Sequence, residues 1–325
     1  MDIRRRGLRP LVRPLVLVFV ALASSCGFGS IPAERTAPLP AASASAPAAT
    51  AAAFPVTIRD FQDRETVLEK RPERIVSIGP SNTEFLFALG AGDRVVGVDD
   101  FSNFPAEALS KEKVGGVKVS LEKVVSLRPD LVVTVKFSDG TIEGIAASGI
   151  PVLVIDPQRL LDVPRTAVVL GTAVGADGQA LASDIERKLD ALRERTASIS
   201  ARPRVFHEVD ASDPAKPFTV GPGSFIHELI ELAGGKNIAA RTGSAFPQLS
   251  VEEIVSADPE VIVLGDSDYG VTAEQVAARP GWSGVTAVRT GRVMPISGDL
   301  VSRPGPRVVE AAELYAKILH PAVFR

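Results

Sequence analysis

At 325 residues the chain has room for two domains of about 150 residues each. Hydrophobic residues make up 45% and charged residues 23%, a globular balance that excludes a disordered chain, and the single cysteine excludes an internal disulfide or a multi-cysteine metal site. The formal charge of −3 falls to −7 without residues 1–25, with 31 basic against 38 acidic groups, so the clustered cations that phosphate recognition needs are missing and nucleic acid is excluded as a partner.

The chain opens with Arg4, Arg5, Arg6, Arg9 and Arg13, followed by an apolar run from Leu15 to Ala23. This is the outline of an export signal, and the run falls short of the roughly 20 residues that span a bilayer. Leu22-Ala23-Ser24-Ser25-Cys26 resembles a bacterial lipobox, with its leucine one step earlier than the usual pattern. The reading assigns residues 1–25 to a lipoprotein signal peptide and Cys26 to lipidation; the alternative is a free Cys26 beside an ordinary signal-peptidase site. Between Ile31 and Pro55, eleven Ala and five Pro in 25 residues leave almost nothing to bury, so residues 26–55 are expected to form a disordered tether holding the body off a membrane.

In the body, Arg74–Ile78 reads as a strand, Asn82–Leu89 as a helix stopped by Gly90-Ala91-Gly92, and Val95–Val98 as the next strand. Ser120–Thr134 then recurs as Ser250–Leu264, with six of fifteen positions identical, and the same offset of 130 carries Arg74-Ile75-Val76 onto Arg204-Val205-Phe206. Each copy reads as a Ser-capped short helix, a break before proline and a wholly apolar strand; Ser250 and Glu253 add a capping box. Apolar strands without alternation, such as Leu131–Val135 and Val261–Leu264, belong in parallel sheets covered on both faces. Val152–Ile155 closes the first series.

From Arg165 to Arg202 there is no proline, and Leu181, Ile185, Leu189 and Leu192 recur at helical spacing. This predicts one long helix between the lobes, or two nearly collinear ones broken near Gly175-Ala176-Asp177, with little hinge freedom. The predicted fold class is therefore α/β: two lobes with central, mostly parallel sheets, joined by a long α-helix and enclosing a cleft. The expected divisions are an N-terminal lobe over residues 56–162, a linking helix over 163–200 and a C-terminal lobe over 201–325.

Catalytic signatures are missing: the sequence holds no Walker loop, no G-x-G-x-x-G after a strand, no G-x-S-x-G and no H-E-x-x-H. His207 ends a strand, where it either faces the crevice as a metal candidate or is a satisfied polar core residue. His227, beside Glu228, is placed on the solvated face of a helix. A two-lobed exported protein without catalytic residues reads as a binder rather than an enzyme, with an exported two-domain α/β enzyme as the rival.

Arg74-Ile75-Val76-Ser77-Ile78-Gly79-Pro80-Ser81-Asn82-Thr83-Glu84, then Leu89–Val98, then Leu127-Arg128-Pro129-Asp130-Leu131-Val132 resemble the helical-backbone substrate-binding proteins of ABC importers, which carry cobalamin, ferric siderophores and haem; the match spans about residues 72–322. Among them the cobalamin-binding members are the most similar. The resemblance implies cargo contacts at Phe101, Phe218 and Phe246, a polar pair at Asp299 and Arg303, and further contacts at Val135 and Lys136; two tryptophans it would place in the first lobe fall near Val117 and Val135. It also implies one permease-docking acid per lobe, Glu122 and Glu252, which otherwise read as helix N-terminal acids. Each Phe has an alternative as a core residue. Flat apolar faces with one Asp and one Arg suit a large, nearly neutral macrocycle with amide arms. An anionic ferric complex wants several cations, and only Arg303, Lys136 and Arg307 are on offer.

The expected cargo is thus a cobalt corrinoid, with a ferric siderophore or haem as alternatives; haem would take His207 or Tyr269 as axial ligand. No resident cofactor is expected. The partners implied are an ABC permease and its ATPase, for a monomer outside the cytoplasm that meets the membrane only through its lipid.

Overall fold

The computed structural model describes residues 53–324. The predicted signal peptide, Cys26 and all of the predicted tether before residue 53 lie outside the described residues. Phe54, placed in the tether by composition, packs instead on the core and against Gly175, so the folded body begins slightly earlier than the Ala/Pro content suggests.

The first lobe starts with an antiparallel hairpin, β1 (Val56–Arg59) and β2 (Glu65–Leu68). It continues through β3 (Ile75–Ser77), α1 (Pro80–Ala88), β4 (Val95–Val98), β5 (Glu112–Lys113), α2 (Leu121–Ser126), β6 (Leu131–Thr134), α3 (Thr141–Ala147) and β7 (Val152–Val154). The last five strands form one parallel sheet in the order β5-β4-β3-β6-β7. After α4 (Asp162–Val174) and α5 (Gly178–Ala197), the second lobe runs β8 (Arg204–Asp210), β9 (Phe218–Thr219), α6 (Phe225–Leu232), β10 (Lys236–Asn237), α7 (Val251–Ala257) and β11 (Val261–Leu264). It ends with α8 (Ala273–Ala277), α9 (Thr286–Arg289), β12 (Val293–Pro295), α10 (Gly298–Val301) and α11 (Val308–Leu319). Its sheet has the order β10-β8-β11-β12, all parallel, with β9 added antiparallel to the end of β8.

The offset of 130 is a structural repeat. Ile75 pairs with Leu131 and Val205 with Val261. Ser120 and Ser250 accept the N3 amides of α2 and α7, and Ser250 completes its capping box with Glu253. Past each helix the chain turns through a non-glycine residue of positive φ, Arg128 (48°) and Asp258 (44°), a conformation that L-residues hold only when something else supports it. The support is the same in both lobes: Arg74 Nε donates to the carbonyls of Leu127 and Arg128, and Arg204 Nε to those of Ala257 and Asp258.

Alternation along the buried strands divides the apolar side chains between two faces. Val76, Val132 and Val154 turn outward to a satellite core with Ile142 and Ile145, and Phe206 and Ile262 do the same with Trp282. The inward set, Ile75, Leu131 and Val133 from one sheet and Val205, Val261 and Val263 from the other, belongs to one continuous core that also takes in α4, α5 and α11.

The connector differs from a straight rod. It breaks at Gly175, whose φ of 67° ends α4, but α5 folds back on α4. Residues 167 and 178 would be about 16 Å apart in a continuous helix at 1.5 Å per residue; instead a Cβ on Gly178 would lie 2.1 Å from the carbonyl oxygen of Ala167, and one on Gly171 2.4 Å from the Cα of Gly178. Two glycines permit the backbones to touch, and a near-collinear pair is excluded.

Candidate functional site: the cleft between the lobes

In open α/β sheets, ligands meet the loops that follow the carboxyl ends of the strands. Here Gly79 follows β3, Asp99 follows β4, Val135 follows β6 and Asp156 follows β7. Gly79 has φ 106°, and a Cβ there would lie 2.6 Å from Val135 Cγ1, so only glycine lets strand, helix and cleft wall come this close. Pro80 at the first turn of α1 is preset for the helix.

Asp99 organises the first-lobe rim. Its buried carboxylate accepts from the Gly79 amide (2.7 Å), the Phe101 amide (2.8 Å) and Ser102 Oγ (2.7 Å). The chain of hydroxyls continues through Thr83 to Ser77. Lys113 Nζ donates to the carbonyls of Asp99 and Ser102. Asp99 and Lys113 thus tie the Phe101 loop to the end of the sheet.

Two cavities share Ser302 and Arg303. One of about 310 Å³ lies between the lobes, bounded by Pro80, Val135 and Asp156 on one side and by Phe225, Phe246 and Arg303 on the other. The other, about 590 Å³, runs along the second lobe past Gly265, Asp268, Tyr269 and Asp299. Burial raises the Asp156 carboxyl above its ordinary range, opposed by the charge of Lys136.

Of the residues singled out from sequence, Val135, Phe246, Asp299 and Arg303 line this pair of cavities. Phe101, Phe218 and Phe246 are 50, 39 and 46% exposed, which excludes the core alternative for each. Phe218 opens β9 and bridges to Gln248, two residues from Phe246. Phe101 and Phe218 line neither cavity; Phe101 reaches the cleft through its carbonyl, which accepts from Arg303 Nη2 at 3.2 Å. Lys136 is exposed beside the wall, and Val117 is exposed as well. Glu122 and Glu252 both occupy exposed first-turn positions, of α2 and α7.

The histidines depart from expectation. His207 is buried and shares a hydrogen bond between Nδ1 and the Tyr315 hydroxyl (2.8 Å). Burial takes its pKa down to about 3. His207 is the fourth residue of β8 and shares the face of Val205, turned into the inner core under α11 and Tyr315, so it is no ligand for a metal in the cleft. His227 is buried rather than solvated, with Nδ1 2.9 Å from Asn237 Nδ2. Tyr269, by contrast, stands on the cavity rim and is 88% exposed. Among the described residues no cluster of three or more His, Cys, Asp or Glu is placed to hold a metal ion.

Sequence reasoning overlooked three kinds of residue. Asn103 donates to Asp299 Oδ2 (2.6 Å) and accepts from Arg303 Nη1 (2.8 Å), bridging the lobes. Glu84 receives both Arg303 and Arg307. Asp266, directly after Gly265, is a buried carboxyl whose two oxygens have no hydrogen-bond partner; burial and the nearby Glu208 charge push it up to about 6. Glu208 itself is buried and paired with Arg279.

A family model described as periplasmic binding protein matches residues 75–300. The chain belongs to the periplasmic binding protein family. This binding protein is 37% identical over 280 residues to an uncharacterized ABC transporter substrate-binding lipoprotein, YvrC, of Bacillus subtilis, covering 84% of this chain and 88% of that one. It is 36% identical to a cobalamin-binding protein of Halobacterium salinarum, covering 94% and 84%. Among solved structures it is similar to the periplasmic heme-binding protein RhuT from Roseiflexus sp. RS-1 (TM-score 0.71, 27% identity, 77% of this chain and 99% of that one). It is also similar to the vitamin B12-binding protein BtuF of Vibrio cholerae (TM-score 0.66, 27% identity, 77% and 98%). It is thus a substrate-binding protein of an ABC transporter, with two α/β lobes, acting outside the cytoplasm. Its family and fold are those of binding proteins.

Proposed function

We propose that this protein captures a cobalt corrinoid, cobalamin or a close relative, in the interlobe cleft and delivers it unchanged to an ABC permease. The observation that carries the reading is the pairing of three half-exposed phenylalanines, Phe101, Phe218 and Phe246, with an arginine whose charge is already compensated. Flat apolar faces suit a macrocycle, and a neutral polar cluster suits amide arms. The cobalamin-binding relative from Halobacterium salinarum, matched over most of both chains, supports the same cargo.

In this reading Phe101, Phe218 and Phe246 contact the macrocycle, Val135 and Lys136 form its first-lobe wall, and Asp299 and Arg303 meet its polar edge. Glu122 and Glu252 dock on cationic residues of the permease, setting orientation and on-rate more than affinity. The partner ATPase supplies the energy. Residues 1–25 are a removable export signal, Cys26 carries the lipid and the following Ala/Pro-rich stretch is the spacer.

Haem is the second reading, favoured by Tyr269, an exposed phenol on the cavity rim. Titration with cyanocobalamin, haemin and a ferric tris-catecholate, followed by absorption and tryptophan quenching, separates the readings. Submicromolar binding of cyanocobalamin alone is expected. A Soret shift with haemin that disappears in Tyr269→Phe, without cyanocobalamin binding, would replace the corrinoid by haem. Turnover of any bound molecule, lost in Asp299→Ala, would replace the binder by an enzyme.

A further inference from the structure

The wall behind Arg303 is built from charges that the cargo cannot touch. Glu84, on α1 of the first lobe, is 2% exposed. Its carboxylate accepts from Arg307 Nε (2.9 Å), Arg307 Nη2 (2.6 Å) and Arg303 Nη1 (3.3 Å). Both arginines come from the second lobe, more than 200 residues later in the chain. Arg307 also stacks on the Phe104 ring at 3.8 Å, and the chain at Gly305 runs so close to Glu84 that a Cβ would lie 3.2 Å from Oε2. On its cleft side Arg303 pairs with Asp299.

The cluster therefore holds two guanidinium charges and two carboxylates. It is neutral as a whole, although Arg303 lines both cavities. The other charged groups at the cleft do not restore a positive field, since Lys136 stands beside Asp156 and Asp268 lines the second cavity. A buried acid that cancels a cation at a binding surface acts as a selectivity device, because it withdraws the attraction that an unwanted anion would use.

We infer that Glu84 is a specificity-determining positioning residue: by neutralising the Arg303–Arg307 pair from behind, it makes the cleft refuse anionic metal chelates and accept neutral ones. The inference deepens the corrinoid reading and rests on it for the identity of the favoured cargo, but the exclusion of anions can be measured by itself.

The test is binding of cyanocobalamin and of a ferric tris-catecholate to wild type, Glu84→Gln and Asp299→Asn at 50 and 500 mM NaCl. Asp299 is half exposed, so its variant removes one negative charge from the same cluster without disturbing the core, should Glu84→Gln fold poorly. One unmasked positive charge about 12 Å from a bound anion, at an effective dielectric constant near 20, is worth about tenfold in affinity for each unit of negative charge on the anion. The expected result is a gain of about tenfold or more for the tris-catecholate in each variant, reduced but not abolished at 500 mM NaCl, since a partly buried charge is only partly screened. Cyanocobalamin affinity falls only a few-fold in Glu84→Gln, whereas Asp299→Asn, which also alters a cargo contact, is read on the tris-catecholate alone.

A merely structural role for Glu84 would weaken both ligands alike and show no salt dependence. The inference is overturned if the folded variants bind the tris-catecholate no better than wild type, including the case in which none of the three proteins binds it. Failure of wild type to bind cyanocobalamin would instead overturn the corrinoid reading and leave the anion comparison to judge Glu84 separately.

Discussion

Asp266 gives the sharpest test of how the second lobe handles buried charge. Its carboxyl is raised from the ordinary 3.8 to about 6 by burial first and the Glu208 charge second, against a weaker downward pull from backbone amides and Arg279. A raised acid means that the folded state holds the proton more tightly than the unfolded state. Between pH 4 and 6 the unfolded chain therefore binds fewer protons, and stability falls as pH rises through that window. The difference between 3.8 and about 6 corresponds to about 3 kcal/mol, absent below pH 4 and fully present above about pH 6.5. Acids whose pKa is lowered in the fold, such as Asp60, act with the opposite sign, so the comparison must be made against Asp266→Asn rather than against absolute stability. Urea unfolding of both proteins, followed by circular dichroism at half-unit steps from pH 4 to 8, should show the variant gaining on wild type by about 3 kcal/mol across the window and by nothing further above it. Parallel stability profiles from pH 4 to 7 would refute the reasoning, because they would mean that the carboxylate is solvated or paired in the folded protein.

Three further outcomes follow from the cleft. Phe101→Ala, Phe218→Ala and Phe246→Ala should each weaken cyanocobalamin binding by about tenfold in isothermal titration while leaving stability within about 0.5 kcal/mol, as half-exposed aromatics contribute little to the core. Asp99→Ala removes the acceptor of three hydrogen bonds and leaves the Gly79 and Phe101 amides unpaired, so urea unfolding should register a loss of about 2–4 kcal/mol; an unchanged midpoint would mean that water replaces the carboxylate. Reversing Glu122 and Glu252 to Arg together should abolish association with the reconstituted permease in a pull-down while cargo affinity in solution stays the same, and retained association would remove these acids from the docking surface.

What could be read from sequence was what the chain says locally or says twice. Apolar runs at Leu131 and Val261 gave the central strands, and the Ser120 and Ser250 caps gave the helices before them, because each signal sits within a few residues of its consequence. The hairpin of β1 and β2 escaped because four-residue strands are too short for a period to stand out, even though Val56-Thr57-Ile58-Arg59 alternates, and β5, β9 and β10 are shorter still. The fold-back of α5 on α4 depends on Gly171 meeting Gly178, a packing event that helical spacing cannot signal. His227 was misplaced because its neighbour Glu228 reaches out to Arg159 while the imidazole turns in to Asn237. The resemblance singled out Phe246, Asp299 and Arg303, which line the two cavities, together with Phe101 and Phe218, which do not. Glu84 and Asn103 were not, since their partners lie about 200 residues away and a lone Glu or Asn has no pattern of its own.

The helix pair and the shared inner core have a bearing on release. A receptor whose halves are stitched together before the guest arrives has little left to freeze on capture, so most of the contact energy survives as tight holding. What makes a good captor makes a poor donor. Unloading then calls for a wrench applied from outside, and among the described residues the exposed faces of the two lobes offer the handles for it.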